Sequence, residues 1–331
     1  MSKINMAIAG FRHGHIYSLL DLARKNENIN ITGGWEEYAP DKETAMTQWN
    51  MEFPYATYQD ILNDKSVDVV AIGNYYTARG QMVIDALKAG KHVIADKPVC
   101  TDLKEMEQII ALQAETGLQV FVMLDLRLNK NVIAAKKLID EGAIGEVNNI
   151  SFGGQHPLML GSRACWYFEE GKHGGTINDI AVHGIDLVRF FTGSEIAKIN
   201  GARCWNKFAK GVPYFEDSGM LMVTLDNGAG VLADVSYAVP DSIGYGLEYY
   251  WEFKIWGTEG LMVFTIYSDG IKLYKNGNKE AVIVPGEEPD INYVDDLLNA
   301  IDGKQTRYLN TAESLRSCLE TLRIQAYADA E

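Results

Sequence analysis

The first third of the chain alternates short apolar runs with stretches whose apolar residues recur at helical spacing. Residues 4–9 read as a strand. Over 15–25, Ile16, Leu19, Leu20 and Ala23 form one stripe and predict an amphipathic helix. Residues 29–35 are a second strand, and 41–49 a helix that Pro40 and Asp41 start. Val67 to Ile72 is nearly all apolar, as a strand covered on both faces requires. A helix over about 78–89 ends at Gly90. The strand Val93-Ile94-Ala95 follows, then a helix over 102–116 that Asp102 and Glu105 open as a capping box and Gly117 closes. A strand at 119–124 completes the series. Strand and helix in this order predict a doubly wound parallel sheet.

The pattern changes after about residue 125. A helix at 129–141 ends at Gly142, a strand covers 146–152, a loop follows, and a helix is expected at about 176–192. Residues 196–285 are mostly strands, with turns at Asp226-Asn227-Gly228, Gly257-Thr258-Glu259-Gly260 and Asn276-Gly277-Asn278. Helices at about 291–302 and 311–329 finish the chain. The expectation is an α/β protein: a domain over 1–124, and an α+β domain over 125–331 with a large, mainly antiparallel open sheet. The last helices can pack back on the first domain. The strands at 219–225 and 249–256 are apolar on both alternations, which predicts helices on one face and a second copy of the chain on the other.

Composition narrows the function. With 331 residues, 47% of them hydrophobic, there is material for two cores, and no apolar run is long enough to span a bilayer. The opening residues read as a strand without a cleavage site, which disfavours export. A net charge of −15 disfavours nucleic acid as a partner. An anionic cofactor stays possible, because helix N-termini hold phosphate locally. Cys100, Cys165, Cys204 and Cys318 are scattered with no CxxC pair, so a reducing cytoplasm is expected.

Three segments carry candidate chemistry. Lys97 follows a buried strand and precedes Pro98, which puts its ammonium at the carboxyl edge of the sheet, where such folds bind ligands. The first strand–helix turn, Gly10-Phe11-Arg12-His13-Gly14-His15, departs from the G-x-G-x-x-G dinucleotide pattern but keeps its setting between strand and helix. Glu36 and Glu37 end the second strand, where a carboxylate bonds the adenosine ribose and repels a 2′-phosphate, favouring NAD over NADP. Last, Asp179, His183 and Asp186 at i, i+4, i+7 share one face of a helix, and a carboxylate beside an imidazole suits acid–base work. Zinc on Asp179 and His183, with His156 or His173, is the rival reading; no metal is the preferred expectation.

Asp96-Lys97-Pro98 together with Gly174-Gly175, Asp179, His183 and Asp186 resembles the Gfo/Idh/MocA family of NAD(P)-dependent oxidoreductases. The family's usual Glu-Lys-Pro stands here as Asp-Lys-Pro. Segments at 89–93, 138–147 and 257–260 carry the likeness over nearly the whole chain. The resemblance implies a Rossmann domain, a second domain whose open sheet forms a homodimer or homotetramer interface, and Lys97 and His183 flanking the reacting carbon beside Asp179. It implies cofactor contacts from Gly10, Phe11, Arg12, His13, Glu36, Asn74, Tyr75, Asp96 and Lys97. Asn74-Tyr75-Tyr76 replaces the family's frequent Thr-Pro-Asn. The implied reaction moves a hydride between a nicotinamide and a secondary alcohol of a sugar or cyclic polyol. Arg127, His156, Trp166, Tyr167, Lys172 and His173 are the candidate substrate contacts, with the loop at 245–250. Glycoside cleavage through transient oxidation, and a non-catalytic sugar or nucleotide sensor, stay open as alternatives.

Overall fold

The computed structural model describes residues 3–331, and they form two compact units. The first runs to Met123 and adds Gly171–Gly174 and Tyr293–Leu315. The second holds Leu124–Glu170, Gly175–Asn292 and Arg316–Glu331.

The first unit begins with β1 (Ile4–Ala9), α1 (His15–Lys25), β2 (Ile29–Trp35), α2 (Ala39–Trp49) and α3 (Tyr58–Asn63). It continues with β3 (Val69–Ile72), α4 (Tyr76–Lys88), β4 (His92–Ala95), α5 (Leu103–Thr116) and β5 (Val120–Val122). The strands are parallel in the order β2-β1-β3-β4-β5. The order reverses between β1 and β3, and ligands of open α/β sheets bind outside the carboxyl ends of strands at such a point. Gly10 ends β1 with φ +89°, and a Cβ there would stand 2.6 Å from the Asn74 nitrogen. A glycine is therefore needed to let the turns after β1 and β3 meet.

Three expectations change here. The strand read from Val67 starts at Val69. Helix α3 was not anticipated, although Thr57 and Asp60 cap it reciprocally. Asp102 does cap α5, accepting from the Lys104 and Glu105 N–H groups, but the return bond of the capping box is absent: the Glu105 carboxyl packs over Gly80 instead.

The second unit contains α6 (Lys130–Asp140), β6 (Val147–Pro157), a π-helical turn (Ile177–Ala181), α7 (Val182–Thr192), β7 (Ile196–Trp205), β8 (Ser218–Leu225) and β9 (Gly230–Val239). It then has β10 (Glu252–Gly257), β11 (Gly260–Thr265), β12 (Ile271–Lys275) and β13 (Val282–Val284). The sheet order is β13-β12-β11-β10-β6-β9-β8-β7, antiparallel except between β6 and β9. The strand read as 146–152 thus extends to Pro157 and carries His156. Leu221, Val223 and Leu225 of β8 face a covered side, while Met220, Met222 and Leu232 are 52%, 45% and 54% exposed on the other. Helix α8 (Tyr293–Ile301) belongs to the first unit, and α9 (Thr311–Asp329) to the second from Arg316 on. In the first unit, the Val120 and Val122 N–H groups of β5 donate to the hydroxyls of Thr311 and Ser314.

Gly184 lets α7 approach β6: a Cβ there would lie 2.1 Å from the Phe152 ring. Alanine in a helix interior gains at most about 1 kcal/mol over glycine. Overpacking costs about 1–3 kcal/mol. Gly184→Ala is therefore expected to destabilise the protein in denaturant titration, and Phe152→Leu in the double variant to recover part of the loss.

Candidate active site

The candidate residues are divided between the two units. In the first, Arg79 of α4 is wholly buried and organises the rest. Its Nε donates to the Asn74 carbonyl (2.7 Å), one terminal nitrogen to the carbonyls of Lys97 (2.5 Å) and Pro98 (3.2 Å), and the other to Asp96 Oδ2 (3.0 Å). A guanidinium has the planar fork of donors this requires. Asn74 and Lys97, which follow β3 and β4, are thereby tied to one side chain. Lys97 is buried, with Nζ 5.9 Å from the centre of the Tyr76 ring. Arg79 was missed in the sequence, yet it stands in register with Val83 and Ala86 on the buried stripe of α4.

Asp96 also meets two imidazoles, His13 Nδ1 at Oδ2 (2.6 Å) and His15 Nδ1 at Oδ1 (3.1 Å). Burial opposes ionisation of Asp96, but Arg79, His13 and His15 together outweigh it and hold the carboxyl well below its usual range. His13 goes the other way. Its burial outweighs the attraction of Asp96 and lowers it to about 4, with His15 and Lys97 pushing in the same direction. The 2.6 Å contact is thus a neutral imidazole N–H donating to a carboxylate.

The features a dinucleotide needs are present. No side chain caps α1 at Gly14 and no acid occupies its first turn, so the positive end of the helix faces the β1 turn. Glu36 is buried and accepts the N–H groups of Phe11 (2.5 Å) and Tyr38 (2.7 Å). Burial raises its pKa against those two bonds and the charge of Arg12. Each carboxylate oxygen keeps acceptor capacity for a ribose hydroxyl. Arg12 pairs with Asp41 (3.0 Å) and lies over the Tyr38 and Tyr75 rings. Lys172 and His173 belong to the same unit, beside the Tyr75 and Tyr76 rings respectively.

In the second unit the segment expected as one helix is two. Asp179 lies in the π-helical turn and His183 in α7. The Tyr237 hydroxyl donates to Asp179 Oδ2. Burial, and then Asp179, push the Tyr237 phenol well above its usual range, so it stays a donor. His183 is buried edge-on to Trp251, with Nδ1 3.9 Å from Asp125 Oδ1. Asp186, one turn further along α7, has its own partners. It receives both arms of Arg127 (2.7 and 2.6 Å) and the Ser317 hydroxyl (2.7 Å). The expectation of one regular helix face changes at Asp179 alone: it precedes α7 in a π turn, which does not keep i, i+4 spacing to His183, whereas His183 and Asp186 both lie in α7. Arg127, expected at the substrate, turns its fork on a buried carboxylate instead.

His156 sits on β6 among Tyr237, Tyr245, Tyr250 and Trp251, with Nε2 3.1 Å from the Tyr250 hydroxyl. Trp166 and Tyr167 are buried against each other, ring centres 4.2 Å apart. Arg163, also missed, binds the carbonyls of Pro157 and Leu158 and covers the Tyr167 and Tyr237 rings. Among the described residues, the rival zinc set around Asp179 and His183 does not assemble. His13, His15 and Asp96 have ligand atoms within 4.8 Å of one another. The charges of Arg79 and Lys97 beside them oppose a further cation.

Comparison with known proteins places the chain. Residues 4–124 match the GFO/IDH/MocA model described as an oxidoreductase family with an NAD-binding Rossmann fold. Residues 132–263 match the GFO/IDH/MocA C-terminal domain. The chain belongs to the GFO/IDH/MocA family. Levoglucosan dehydrogenase of Pseudarthrobacter phenanthrenivorans is 27% identical over 245 residues, which are 66% of this chain and 61% of that protein. Scyllo-inositol 2-dehydrogenase (NAD(+)) of Bacillus subtilis is 28% identical over 226 residues, 66% of this chain and 60% of that one. The matched stretches thus span about three fifths of these relatives. The structure of a putative oxidoreductase from Erwinia carotovora atroseptica has the same fold, with a TM-score of 0.89, 24% identity, and coverage of 98% of this chain and 99% of that one.

The His13 environment has a measurable consequence. Its proton affinity is lower folded than unfolded, so acidification from 6.5 toward 4 protonates the unfolded state first and stability falls across that window. The loss attributable to this residue is about 3 kcal/mol. His13→Gln is expected to flatten the decline in equilibrium denaturation measured at several pH values. An unchanged slope would refute the assignment.

Proposed function

We propose that the chain is an NAD-dependent dehydrogenase that oxidises a secondary alcohol of a sugar or cyclic polyol. The observation that carries this reading is Lys97: buried, at the carboxyl end of β4, with its backbone fixed by Arg79. When bound, NAD supplies the hydride acceptor. The Lys97 ammonium holds the alcohol oxygen and stabilises its developing charge. His183 takes the hydroxyl proton. Asp179, held by Tyr237, orients the histidine or the substrate. His156, Trp166 and Tyr167 supply aromatic and polar surface for the C–H faces and hydroxyls of a sugar. Arg127 is left out, because its fork already serves Asp186.

The names of the relatives, which act on levoglucosan and scyllo-inositol, support an uncharged, hydroxyl-rich substrate. Glu36 supports NAD over NADP, since a 2′-phosphate would face a carboxylate. Gly10, Phe11, Arg12, His13, Asn74, Tyr75 and Asp96 complete the proposed cofactor contacts. The scattered cysteines, with no CxxC pair, support a reducing, cytoplasmic setting; among the described residues no helix is long and apolar enough to cross a membrane. The exposed Met220, Met222 and Leu232 support a homodimer or homotetramer through the second unit's sheet.

Lys97→Met is expected to cut kcat by about 10²–10³-fold while fluorescence transfer still reports NADH binding. Near-wild-type turnover in that variant would overturn the role. A polyol and glycoside panel scored for net NADH formation separates the classes: glycoside cleavage without net NADH means transient oxidation, and NADH binding without turnover means a sensor. For the assembly, Met222→Glu with Leu232→Asp is expected to lower the mass seen by light scattering. A wild-type monomer at micromolar concentration would remove the interface.

A further inference from the structure

The turn that carries Asp179 has no cap of its own. Thr176, at its N-terminal side, makes no capping bond, and the first amides of a helix have no acceptor within the helix. The Asn178 N–H finds its acceptor 147 residues away, in Gln325 Oε1 of α9 at 3.1 Å. Gln325 is 2% exposed. Its Nε2 donates to Asp329 Oδ1 (2.7 Å) and lies 3.6 Å from Cys204 Sγ, so both ends of the amide are engaged. Gly175 makes room for it: at φ +99°, a Cβ there would stand 2.2 Å from Gln325 Cδ. The Asp179 N–H then bonds back to the Gly175 carbonyl at 3.0 Å. One side chain therefore touches the turn at Gly175 and Asn178, immediately before Asp179. Two turns earlier on α9, Ser317 donates to Asp186 and accepts from Arg189 of α7 (2.9 Å). Positions 317 and 325 lie on one face of α9.

We propose that Gln325 is a positioning residue for the proton-transfer pair. It holds the wide turn in register, so that Asp179 and His183 keep their mutual placement, and α9 acts as an external splint along α7. The inference rests on the dehydrogenase reading and adds to it a residue that reaches the chemistry only through Asn178 and Asp179. A π-helical turn is rare and occurs mostly as a single turn, frequently at functional sites. A displacement of about 1 Å can cost on the order of 10²-fold in rate.

Gln325→Leu removes the acceptor at similar volume. It is expected to lower kcat about 10–100-fold, with KM for the polyol and NADH affinity little changed. Gln325→Glu combined with Asp329→Asn reverses the outer bond while keeping an acceptor for Asn178 N–H, and is expected to restore kcat. Wild-type kcat in Gln325→Leu overturns the proposal. So does a double variant that recovers thermal stability but not kcat, since stability alone would then be at stake. If the leucine variant does not fold, Gln325→Asn replaces it: the amide is the same and the reach one methylene shorter, and the same outcomes apply. NMR titration of ¹³C-labelled histidine needs no turnover. A His183 midpoint displaced in the single variant and restored in the double supports the proposal, and an unmoved midpoint overturns it. If the wild-type protein oxidises nothing in the panel, the dehydrogenase reading fails on that result, while the titration still decides the role of Gln325.

Discussion

A guanidinium without water must find a counter-charge and acceptors for its donors, and Arg79 finds the charge and three carbonyls in two loops. That one requirement shapes the carboxyl end of the parallel sheet. It fixes the Asn74 and Lys97 backbones together. It makes Asp96 the obligatory anion, because removing either partner of a buried pair strands the other at a cost of about 3–5 kcal/mol. Asp96 in turn gathers His13 and His15. The departure from the glycine fingerprint therefore has a physical cause. The turn after β1 carries imidazoles because a carboxylate from the end of β4 is there to receive them.

The second unit repeats the theme with different partners. Asp179 answers to a phenol, Asp186 to a guanidinium and a hydroxyl, and buried Asp217 to the backbone amides of Lys207, Phe208 and Ala209. Each carboxylate has its own local solution, so carboxylates close in sequence do different work. Asp186 anchors α7 in the unit. Asp179 takes the Tyr237 hydroxyl, a neutral donor.

Much of this was legible in the chain. Apolar runs bounded by glycine gave the alternating elements, and Gly10, Lys97, Asp179 and His183 stood out by their setting. What escaped were partners far away in the chain: Arg79, Tyr237, Ser317 and Gln325 are ordinary residues until the fold brings them to a loop or turn. Asp186 pairs with Arg127 and Ser317, distant in the chain, which helical spacing does not reveal. Gly154, inside β6, serves close packing, since a Cβ there would lie 2.8 Å from Ile180 and 2.9 Å from Trp251. Helix α3 was too short for its periodicity to register.

The hydroxyls of Thr311 and Ser314 that cover β5 also set a timetable. β5 is the outer strand of its sheet, and an uncovered outer strand is a template for pairing with another chain. Ser314 follows Val122 by 192 residues. At ribosomal speed that gap is about 10–40 s. A nascent chain must carry its first sheet with one ragged side through the whole synthesis of the second unit. The three-residue length of β5 is then a safeguard during birth, limiting what can adhere before the closing segment arrives.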